Sequence, residues 1–390
     1  MTQRSDRAAD SRSPYPALAR LRAGSPVQRM DEGSRASYLV TGHAEAREAL
    51  LDASLSKNTE EFFADRGSSR SLHPAVSQTM LATDPPDHAR LRRLVAGAFS
   101  TGTVARLRPY IESVAEQLID AFDTPRVDLV EALAAPLPVT VIGELLGVPE
   151  EDRDQLRHLS GQLFAAHAPK TIDDASHAVA EYMDQLVTTK RRSPGDDLLS
   201  RLLTARDLNG ETLSQIELTS MAALLLIAGH ETTTNAIGNA LLALFQYPEA
   251  LARLSGDPAQ VEAAVDELLR YDSPVALSTF RWTREATTIG GHAVEAGMPV
   301  LVALGAANRD PAVFPDPDTL DLDRDAASHL AFGHGIHRCL GAPLARAEVA
   351  IALRTLLVRH PNIMLAEPVE QLAWRETRLV RGLASLPVRL

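Results

Sequence analysis

Apolar residues recur at helical spacing through most of the region from residue 84 to residue 270. The clearest helical segments are 103–122, 173–192 and 213–247. The segment 213–247 is unusually long, and its middle is apolar on all sides, as in a helix that crosses the interior of a large domain. The pattern therefore predicts a fold in which helices dominate.

Shorter elements are predicted towards the two ends of the chain. Residues 14–22 and 43–52 have helical patterns, and the run ASYLV between them has the character of a strand. Residues 287–304 contain strand-like runs with glycine-rich turns, and the run RGLASLPVRL closes the chain as a strand. The predicted fold class is therefore α+β, mainly α with small β-sheets.

Two internal segments lack a clean period. Residues 56–80 are expected to form a long, partly ordered loop, and loops of that length are often functional. Residues 308–324 form a meander rich in Pro and Asp. Residues 1–13 are polar and are expected to be a disordered tail. Because neither a repeat nor a linker divides the rest, we expect residues 14–390 to form a single domain.

Composition narrows the class of protein. The 390 residues are 45% hydrophobic and 23% charged, which allows a large core. The net charge of -12 argues against general nucleic-acid binding. One cysteine excludes an internal disulfide, and the chain lacks the run of about 18 apolar residues that would span a membrane. The first residues lack the apolar core of a signal peptide, so a cytoplasmic location is expected.

The single cysteine, Cys339, lies in the stretch AFGHGIHRCLGAPLAR, just before a predicted helix that Pro343 can open. Free backbone N–H groups and the positive end of the helix dipole would face its sulfur. Arg338 and His337 are adjacent, and all of these effects lower a thiol pKa and favour a thiolate. Three glycines in the same stretch would let the backbone approach a flat or bulky partner closely: Gly333, Gly335 and Gly341.

The residues alone leave three interpretations of Cys339 open. A lone cysteine is most often a buried structural residue. His334, His337 and Cys339 could instead bind zinc, although a fourth ligand is not evident. In the third interpretation, the thiolate binds axially to haem iron.

A polar motif, AGHETT at residues 228–233, interrupts the apolar central helix. Gly229 permits a local widening of the helix. Glu231 and Thr232 place an acid beside a hydroxyl, a pair that suits proton delivery. Alternatively, the glycine is merely tolerated and Thr232 bonds back to the preceding turn.

Two further pairs of charged residues share helix faces. Glu267 and Arg270 are three positions apart and can form an ion pair. His88 and Arg92, four apart in DPPDHARLRR, point the same way. Either pair could equally lie on a solvated surface, so neither identifies a site by itself.

Taken in order, these motifs resemble those of the cytochrome P-450 family. FGHGIHRCLG resembles the haem-ligand signature, with its fixed positions at Phe332, Gly335, Cys339 and Gly341. AGHETT resembles the oxygen-activation motif, ELLR resembles the ExxR motif, and DPPDHARLRR resembles the segment that meets the haem propionates. The resemblance covers residues 14–390 and is to the soluble bacterial type, in particular actinobacterial enzymes of secondary metabolism.

The resemblance implies a cytochrome P-450 fold with haem b between the long central helix and the cysteine loop. It implies that the Cys339 thiolate is the metal ligand, where it favours O–O cleavage, and that Phe332 shields the sulfur. The haem-binding residues that it implies are His88, Arg92, Ala228, Arg281, Phe332, Gly333, His337, Cys339 and Gly341.

The resemblance also assigns roles to the remaining motif residues. Glu231 and Thr232 would be catalytic, with Glu231 relaying protons from solvent. Glu267 and Arg270 would be structural, in a buried network with the meander that has Arg324 as a candidate third member.

The implied activity is that of a haem-thiolate monooxygenase, which hydroxylates or epoxidises a bulky, largely apolar small molecule. Expected substrates are secondary metabolites such as polyketides or macrolides, terpenoids or steroids, and modified peptides. Oxidative C–C or C–N coupling is an alternative, as are a haem protein without turnover and a zinc hydrolase. The pocket should draw on segments 56–80 and 165–185. Its expected single residues are Leu224, Ile227, Ala228, Leu277, Ser278 and Val380.

Electrons should come from NAD(P)H through external partners, because one cysteine cannot hold an iron–sulfur cluster and a flavin domain is not evident. A ferredoxin or flavodoxin with its reductase is expected. Since such partners are usually acidic, a local basic patch should receive them. The candidates for this patch are Arg90, Arg93, Arg338 and Arg346. Neither nucleic acid nor a membrane is expected as a partner.

Overall fold

The computed structural model describes residues 13–32, 35–64, 66–67, 70–164, 168–377 and 379–390. The predicted tail, residues 1–13, falls outside the described residues except for Ser13. Within the described ranges the α-helices are α1 (Tyr15–Gly24), α2 (His43–Leu51), α3 (Thr59–Phe63), α4 (Pro74–Ser77), α5 (Asp87–Ala96), α6 (Thr101–Asp120), α7 (Pro136–Leu146), α8 (Glu150–Phe164), α9 (Pro169–Arg192), α10 (Leu198–Leu202), α11 (Gln215–Gln246), α12 (Pro248–Gly256), α13 (Val261–Tyr271), α14 (Leu304–Ala307) and α15 (Ala342–Arg359).

The strands are short and lie towards the two ends of the chain. They are β1 (Val27–Glu32), β2 (Arg35–Val40), β3 (Leu55–Ser56), β4 (Arg126–Asp128), β5 (Trp282–Thr283), β6 (Thr287–Ile289), β7 (His292–Val294), β8 (Val300–Val302), β9 (Met364–Leu365) and β10 (Pro387–Arg389). β2 pairs antiparallel with β1 and parallel with β8, placing Tyr38 opposite Val300. β10 lies between β4 and β9, while β3 pairs with β5 and β6 with β7. The predicted fold class, mainly α with small sheets, is confirmed.

Helix α11 is the central element of the fold. It begins with a capping box, in which the Ser214 side chain accepts from the Glu217 amide and the Glu217 carboxylate accepts from the Ser214 amide. Most of its side chains from Leu218 to Leu244 are buried, and it packs against α7, α9, α13 and α15. The prediction of an interior helix is therefore confirmed. A helix that is long and apolar enough to cross a membrane on its own does not occur in the described part of the chain.

The segment 56–80 is more ordered than predicted. It contains α3 and α4, although residues 65, 68 and 69 lie outside the described ranges. The Asn58 side chain caps α3 by accepting from the Glu61 amide. Phe62 of α3 packs on Phe280 and Trp282, with ring centroids 4.9 and 5.4 Å apart. A helix of this length shows almost no period in sequence, because contacts with residues distant along the chain stabilise it.

The end of the chain is less regular than predicted. Of the run RGLASLPVRL, only Pro387–Arg389 forms a strand. The Asp128 carboxylate accepts from the Leu386 amide and the Ser385 hydroxyl, which fixes the residues before the strand. The meander at 308–324 contains neither helix nor strand, as its prolines predict.

A buried ion pair ties α13 to this meander. Arg270 is 0% exposed and Glu267 is 1% exposed, and Arg270 Nε lies 2.6 Å from Glu267 Oε2. Arg270 Nη1 donates to the carbonyls of Asn308 and Pro317, each at 2.9 Å. Arg324 Nε donates to Glu267 Oε1 at 3.2 Å. Glu267, Arg270 and Arg324 therefore form one network whose charges and N–H groups have partners inside the protein.

Replacing Arg270 by Lys should destabilise the fold strongly, because an ammonium cannot reproduce the planar set of donors that serves Glu267 and the meander. We expect the free energy of unfolding, measured in urea, to fall by about 3–5 kcal/mol. Arg253→Lys is the matched control, since Arg253 pairs with Asp323 on the exposed surface and should lose no more than about 1 kcal/mol. Equal losses in the two variants would contradict the proposed role of burial.

Candidate functional site

A cavity of about 250 Å³ lies between α11 and the loop that precedes α15. Helix α11 contributes Ala228 and Thr232 to its wall, and the loop contributes Phe332, Gly333 and Cys339. Further apolar side chains complete the wall: Met80, Leu81, Ile142, Leu225, Val275 and Leu344. The cysteine motif and the motif of the central helix, which are far apart in the sequence, therefore meet at one cavity.

The loop before α15 holds the Cys339 sulfur at the N-terminus of that helix. The Cys339 amide donates to the Phe332 carbonyl at 2.8 Å, which closes the loop. Gly335 has φ of 73°, and a Cβ there would meet the Leu50 carbonyl oxygen at 2.6 Å, so only glycine fits. Gly333 has φ of 68° and has open space where a Cβ would point. The side chain of Cys339 is exposed, but the surface that it exposes faces the cavity.

The thiol pKa differs from the sequence expectation. Although the sulfur is accessible from the cavity, the surrounding protein removes it from bulk solvent, and this burial raises the pKa of Cys339. The Gly341 N–H and the guanidinium groups of Arg92, Arg338 and Arg346 act in the opposite direction. The helix terminus and the nearby cations lower the thiol pKa as expected, but burial outweighs them. A metal ion bonded to the sulfur would remove the proton, because a coordinating thiol ionises. The donor chemistry of this site thus suits a bound metal better than a free thiolate.

Four cationic or basic side chains converge on one part of the cavity wall: His88, Arg92, Arg281 and His337. The imidazole centroids of His88 and His337 lie 4.1 Å apart. Arg281 is 4% exposed, and its guanidinium donates to the Thr279 carbonyl at 3.4 Å. The structure shows no carboxylate paired with Arg281 among the described residues.

The pKa values of His337 and Arg281 are lowered, as expected where buried positive charge has no nearby counter-ion. Burial, followed by the charges of Lys57, His88, Arg281 and Arg92, lowers the pKa of His337 to about 2. Burial lowers the pKa of Arg281 to about 10, against a weaker effect of Asp84. Buried cations without counter-ions destabilise the folded protein, so a bound anion would stabilise this part of the wall. A bound group that carries both a metal ion and carboxylates would satisfy the sulfur and these cations together.

Thr232 and Glu231 are adjacent in sequence but face different surroundings. Thr232 lines the cavity and donates its hydroxyl proton to the Ala228 carbonyl at 2.7 Å. Glu231 is 2% exposed and accepts from Arg375 Nη1 at 2.5 Å, away from the cavity wall. Helix α11 runs as a continuous α-helix through Gly229, so the widening expected there is not present. The back-bonded arrangement of Thr232 is the one that the structure contains.

The cavity includes half of the single residues expected for a substrate pocket. Leu224, Ala228 and Ser278 line it. Ile227, Leu277 and Val380 lie outside the lining, although Val380 pairs with the lining residue Val275 through a β-bridge. Of the expected segment 165–185, residues 165–167 lie outside the described ranges and residues 168–185 do not line the cavity, while segment 56–80 contributes only Met80 among its described residues. Adjacent residues of a helix or strand face different directions, which explains why only part of each predicted run reaches the cavity.

Glu348 is a cavity residue that the sequence did not reveal. It lies on α15, is 2% exposed and lines the cavity. Burial raises its pKa to about 8, against the effect of a hydrogen bond with Thr233. The carboxyl group is therefore mostly protonated near pH 7, in a wall that has basic side chains but lacks another carboxyl group among the described residues.

The structure also bears on the zinc alternative. Within the described ranges, groups of three His, Cys, Asp or Glu side chains that could hold a metal ion do not occur. The His337 ring packs on His88 rather than joining His334 and Cys339. His334, His337 and Cys339 therefore do not form a zinc site.

The four arginines of the expected docking patch differ in their partners. Arg93 and Arg338 are exposed. Arg90 is paired with Glu217, and Arg346 Nε lies 2.6 Å from Asp266 Oδ1. Arg346 also covers the ring of Phe332, with 4.5 Å between its guanidinium carbon and the ring centroid.

Comparison with known proteins gives consistent matches along the chain. The family model described as Cytochrome P450 matches residues 157–261 and 257–361. Cytochrome P450 107B1 of Saccharopolyspora erythraea is 45% identical over 373 residues, covering 93% of this chain and 92% of that protein. The polyketide biosynthesis cytochrome P450 PksS of Bacillus subtilis is 38% identical over 390 residues, covering 97% of this chain and 96% of that protein. The solved structure of the tirandamycin C-bound P450 monooxygenase TamI has a TM-score of 0.91 at 43% identity and covers 98% of each chain.

Glu348→Gln should change how stability depends on pH. Because burial raises the folded-state pKa of Glu348 to about 8, above its ordinary value of 4.5, ionising it destabilises the fold as pH rises between those values. At about 1.4 kcal/mol per pKa unit, the wild type should lose a few kcal/mol over this interval that the Gln variant keeps. Urea unfolding at pH 5, 6, 7 and 8 measures the difference. The exposed Glu116→Gln is the control, and parallel pH profiles for wild type and Glu348→Gln would refute the assignment.

Proposed function

The chain belongs to the cytochrome P450 family and is a haem-thiolate monooxygenase, and we propose that Cys339 is the residue that binds its haem iron. The cofactor is haem b, and electrons reach it from NAD(P)H through external redox partners. The observation that carries the assignment of Cys339 is the position of its sulfur, at a cavity whose wall also holds buried, uncompensated cations. Haem, when bound, supplies the activation of dioxygen.

We propose that His88, Arg92, Arg281 and His337 hold the haem carboxylates. The guanidinium groups can donate two hydrogen bonds each in a plane, which suits carboxylates. The neutral imidazoles can each donate one N–H. Phe332, Gly333, Gly341 and Ala228 would contact the flat faces of the ring, a role supported by the left-handed backbone of Gly333 and the open space beside it.

We propose that Glu231 and Thr232 move protons during turnover. Thr232 has its oxygen at the cavity wall, where a reacting atom can reach it. Glu231 lies behind the helix, beside Arg375, whose side chain is 28% exposed. The Arg375 side therefore offers the connection to solvent, and Thr232 offers the connection to the cavity.

We propose that the substrate is a bulky, largely apolar secondary metabolite of the polyketide or macrolide kind. The lining near Thr232 supports this, because Leu81, Ile142, Leu224 and Val275 are apolar. The name of PksS refers to polyketide biosynthesis, and TamI was solved with tirandamycin C bound. Hydroxylation or epoxidation is the reaction expected, and product analysis distinguishes both from oxidative coupling.

We further propose a ferredoxin or flavodoxin as the electron donor. The exposed Arg93 and Arg338 support a basic docking patch beside Cys339. Arg90 and Arg346 contribute less, because Glu217 and Asp266 neutralise them. A cytoplasmic location accords with a thiol that must stay reduced and with a supply of NAD(P)H. Residues 14–390 would act as one domain, since the two hydrophobic clusters of the described residues, one from Val27 to Leu330 and one from Met80 to Val388, overlap along the chain.

Replacing Cys339 by Ser should abolish thiolate ligation. The wild-type protein, reduced with dithionite and treated with carbon monoxide, should show the red-shifted haem absorption band that sulfur-anion ligation produces, and Cys339→Ser should not. Metal analysis of both proteins provides the control for haem content. A Cys339→Ser protein that retains the band, or a wild type that lacks it while holding haem, would overturn the assignment.

Thr232→Ala should separate electron consumption from product formation. Haem and substrate binding should persist, because the hydroxyl bonds only within its own helix. Product formed per NAD(P)H should fall roughly tenfold or more, with hydrogen peroxide released instead, since positioned proton transfer accounts for at least that factor in other enzymes. Thr232→Ser is the matched control and should retain most of the yield. An unchanged product yield in Thr232→Ala would remove Thr232 from the mechanism.

A further inference from the structure

Lys57 is a buried cation close to the cavity that none of the roles above uses. It follows β3, and its side chain is 2% exposed. Its Nζ donates to Thr279 Oγ1 at 2.5 Å. A hydroxyl alone is a poor environment for a buried ammonium, which normally requires a carboxylate.

The charged and basic groups around Lys57 make its position more costly. Burial, together with the charge of Arg281, lowers the pKa of Lys57 well below its ordinary value. Lys57 in turn lowers the pKa of His88 and of His337. Asp84 is the one carboxylate that counteracts these effects on Lys57.

The oxygens of Asp84 are already engaged by other donors. Oδ1 accepts from the Lys57 backbone amide at 2.9 Å. Oδ2 accepts from the Ser56 hydroxyl at 2.6 Å and from Arg284 Nη2 at 3.1 Å. Asp84 therefore holds the backbone of Lys57 in place and leaves its ammonium without a direct carboxylate partner in the described structure.

Thr279 connects this ammonium to the cavity. Thr279 lines the cavity, whereas Lys57 lies behind it. In its ammonium form Lys57 has three protons and no acceptor, so in that form Lys57 donates and the Thr279 oxygen accepts. The proton of the Thr279 hydroxyl is then free to be donated to another group. A hydroxyl that accepts from a cation is a stronger donor itself.

We propose that Lys57 and Thr279 form a donor relay for one of the haem carboxylates, in which Thr279 makes the contact and Lys57 polarises it. The inference rests on the proposed function, since it requires haem in this cavity. Thr279 acts as the binding residue, and Lys57 acts as a positioning residue through it. A carboxylate at this place compensates the charges of Lys57 and Arg281 together, which explains why a buried lysine persists beside another cation.

Two readouts that do not depend on turnover test the relay. The rate at which ferric holoprotein loses haem to excess apomyoglobin measures retention of the group, and spectroelectrochemistry measures its reduction potential. Lys57→Met and Thr279→Val should each release haem roughly tenfold faster or more, as expected for losing a hydrogen bond to a charged group. Both variants should also lower the reduction potential, because a positive influence near the iron is lost.

Matched controls separate the relay from general effects. Lys170 lies on α9, is 83% exposed and pairs with Asp174. Lys170→Met should therefore leave the rate of haem loss and the reduction potential unchanged. Thr279→Ser keeps the hydroxyl and should behave as wild type. The double variant Lys57→Met/Thr279→Val should lose haem hardly faster than Thr279→Val alone, since the two residues act through one contact.

Three outcomes would overturn the relay. Wild-type haem release and potential in both Lys57→Met and Thr279→Val would show that neither residue acts on the group. Effects that multiply in the double variant would show that the two act independently. If Lys57→Met fails to fold, wild-type behaviour of Thr279→Val alone rejects the relay. If the wild type shows the thiolate band, any of these results rejects the relay but not the proposed function. A wild type that does not bind haem would reject both the relay and the proposed function.

Discussion

The guanidinium of Arg270, fully removed from solvent, holds together the parts of the chain that frame the cavity. It neutralises Glu267 and donates to carbonyls of the meander, including that of Asn308. Asn308 is itself buried, and its side chain accepts from the Leu330 amide at 2.6 Å, two residues before Phe332. Helix α13, the meander and the start of the cysteine loop are therefore fixed by one continuous set of bonds. The position of Cys339 depends on this set, because the loop between Leu330 and α15 has few regular hydrogen bonds of its own.

Buried charge appears in two contrasting forms in this protein. In the Glu267 network each charge has a partner within the chain, so it contributes to the fold without any ligand. At the cavity wall, Arg281 and Lys57 lack such partners among the described residues, and the chain pays for their burial. The second form marks a binding site, because the missing anions must come from outside the polypeptide. In the absence of its cofactor, the fold must therefore rely on paired charges such as those of the Glu267 network to offset the destabilising unpaired cations at the cavity wall.

Periodicity was enough to predict the interior helix and the mainly helical fold, whereas the meeting of His88, Arg281 and Cys339 at one cavity was implied only by the resemblance of the motifs to a known family. Neither was enough for features set by contacts between distant segments. Lys57 sits in a loop without a pattern, and only the fold places it behind Thr279. The direction of Glu231 is decided by Arg375, 144 residues further along the chain. The direction of the Cys339 pKa shift was not predictable for a related reason. A sequence displays neighbouring cations but not the burial that outweighs them.

The bond between Thr232 and the Ala228 carbonyl limits what this side chain offers to a molecule in the cavity. A hydroxyl carries a single hydrogen, and here that hydrogen is committed to the helix backbone. Only the lone pairs of the oxygen remain. Thr232 can therefore accept a hydrogen bond from an O–H or N–H group of a ligand, but it cannot donate one to an oxygen that lacks a hydrogen. Rotation of the hydroxyl reverses that preference at the expense of one bond inside the helix, which makes the side chain a reversible selector between hydrogen-bond donors and acceptors.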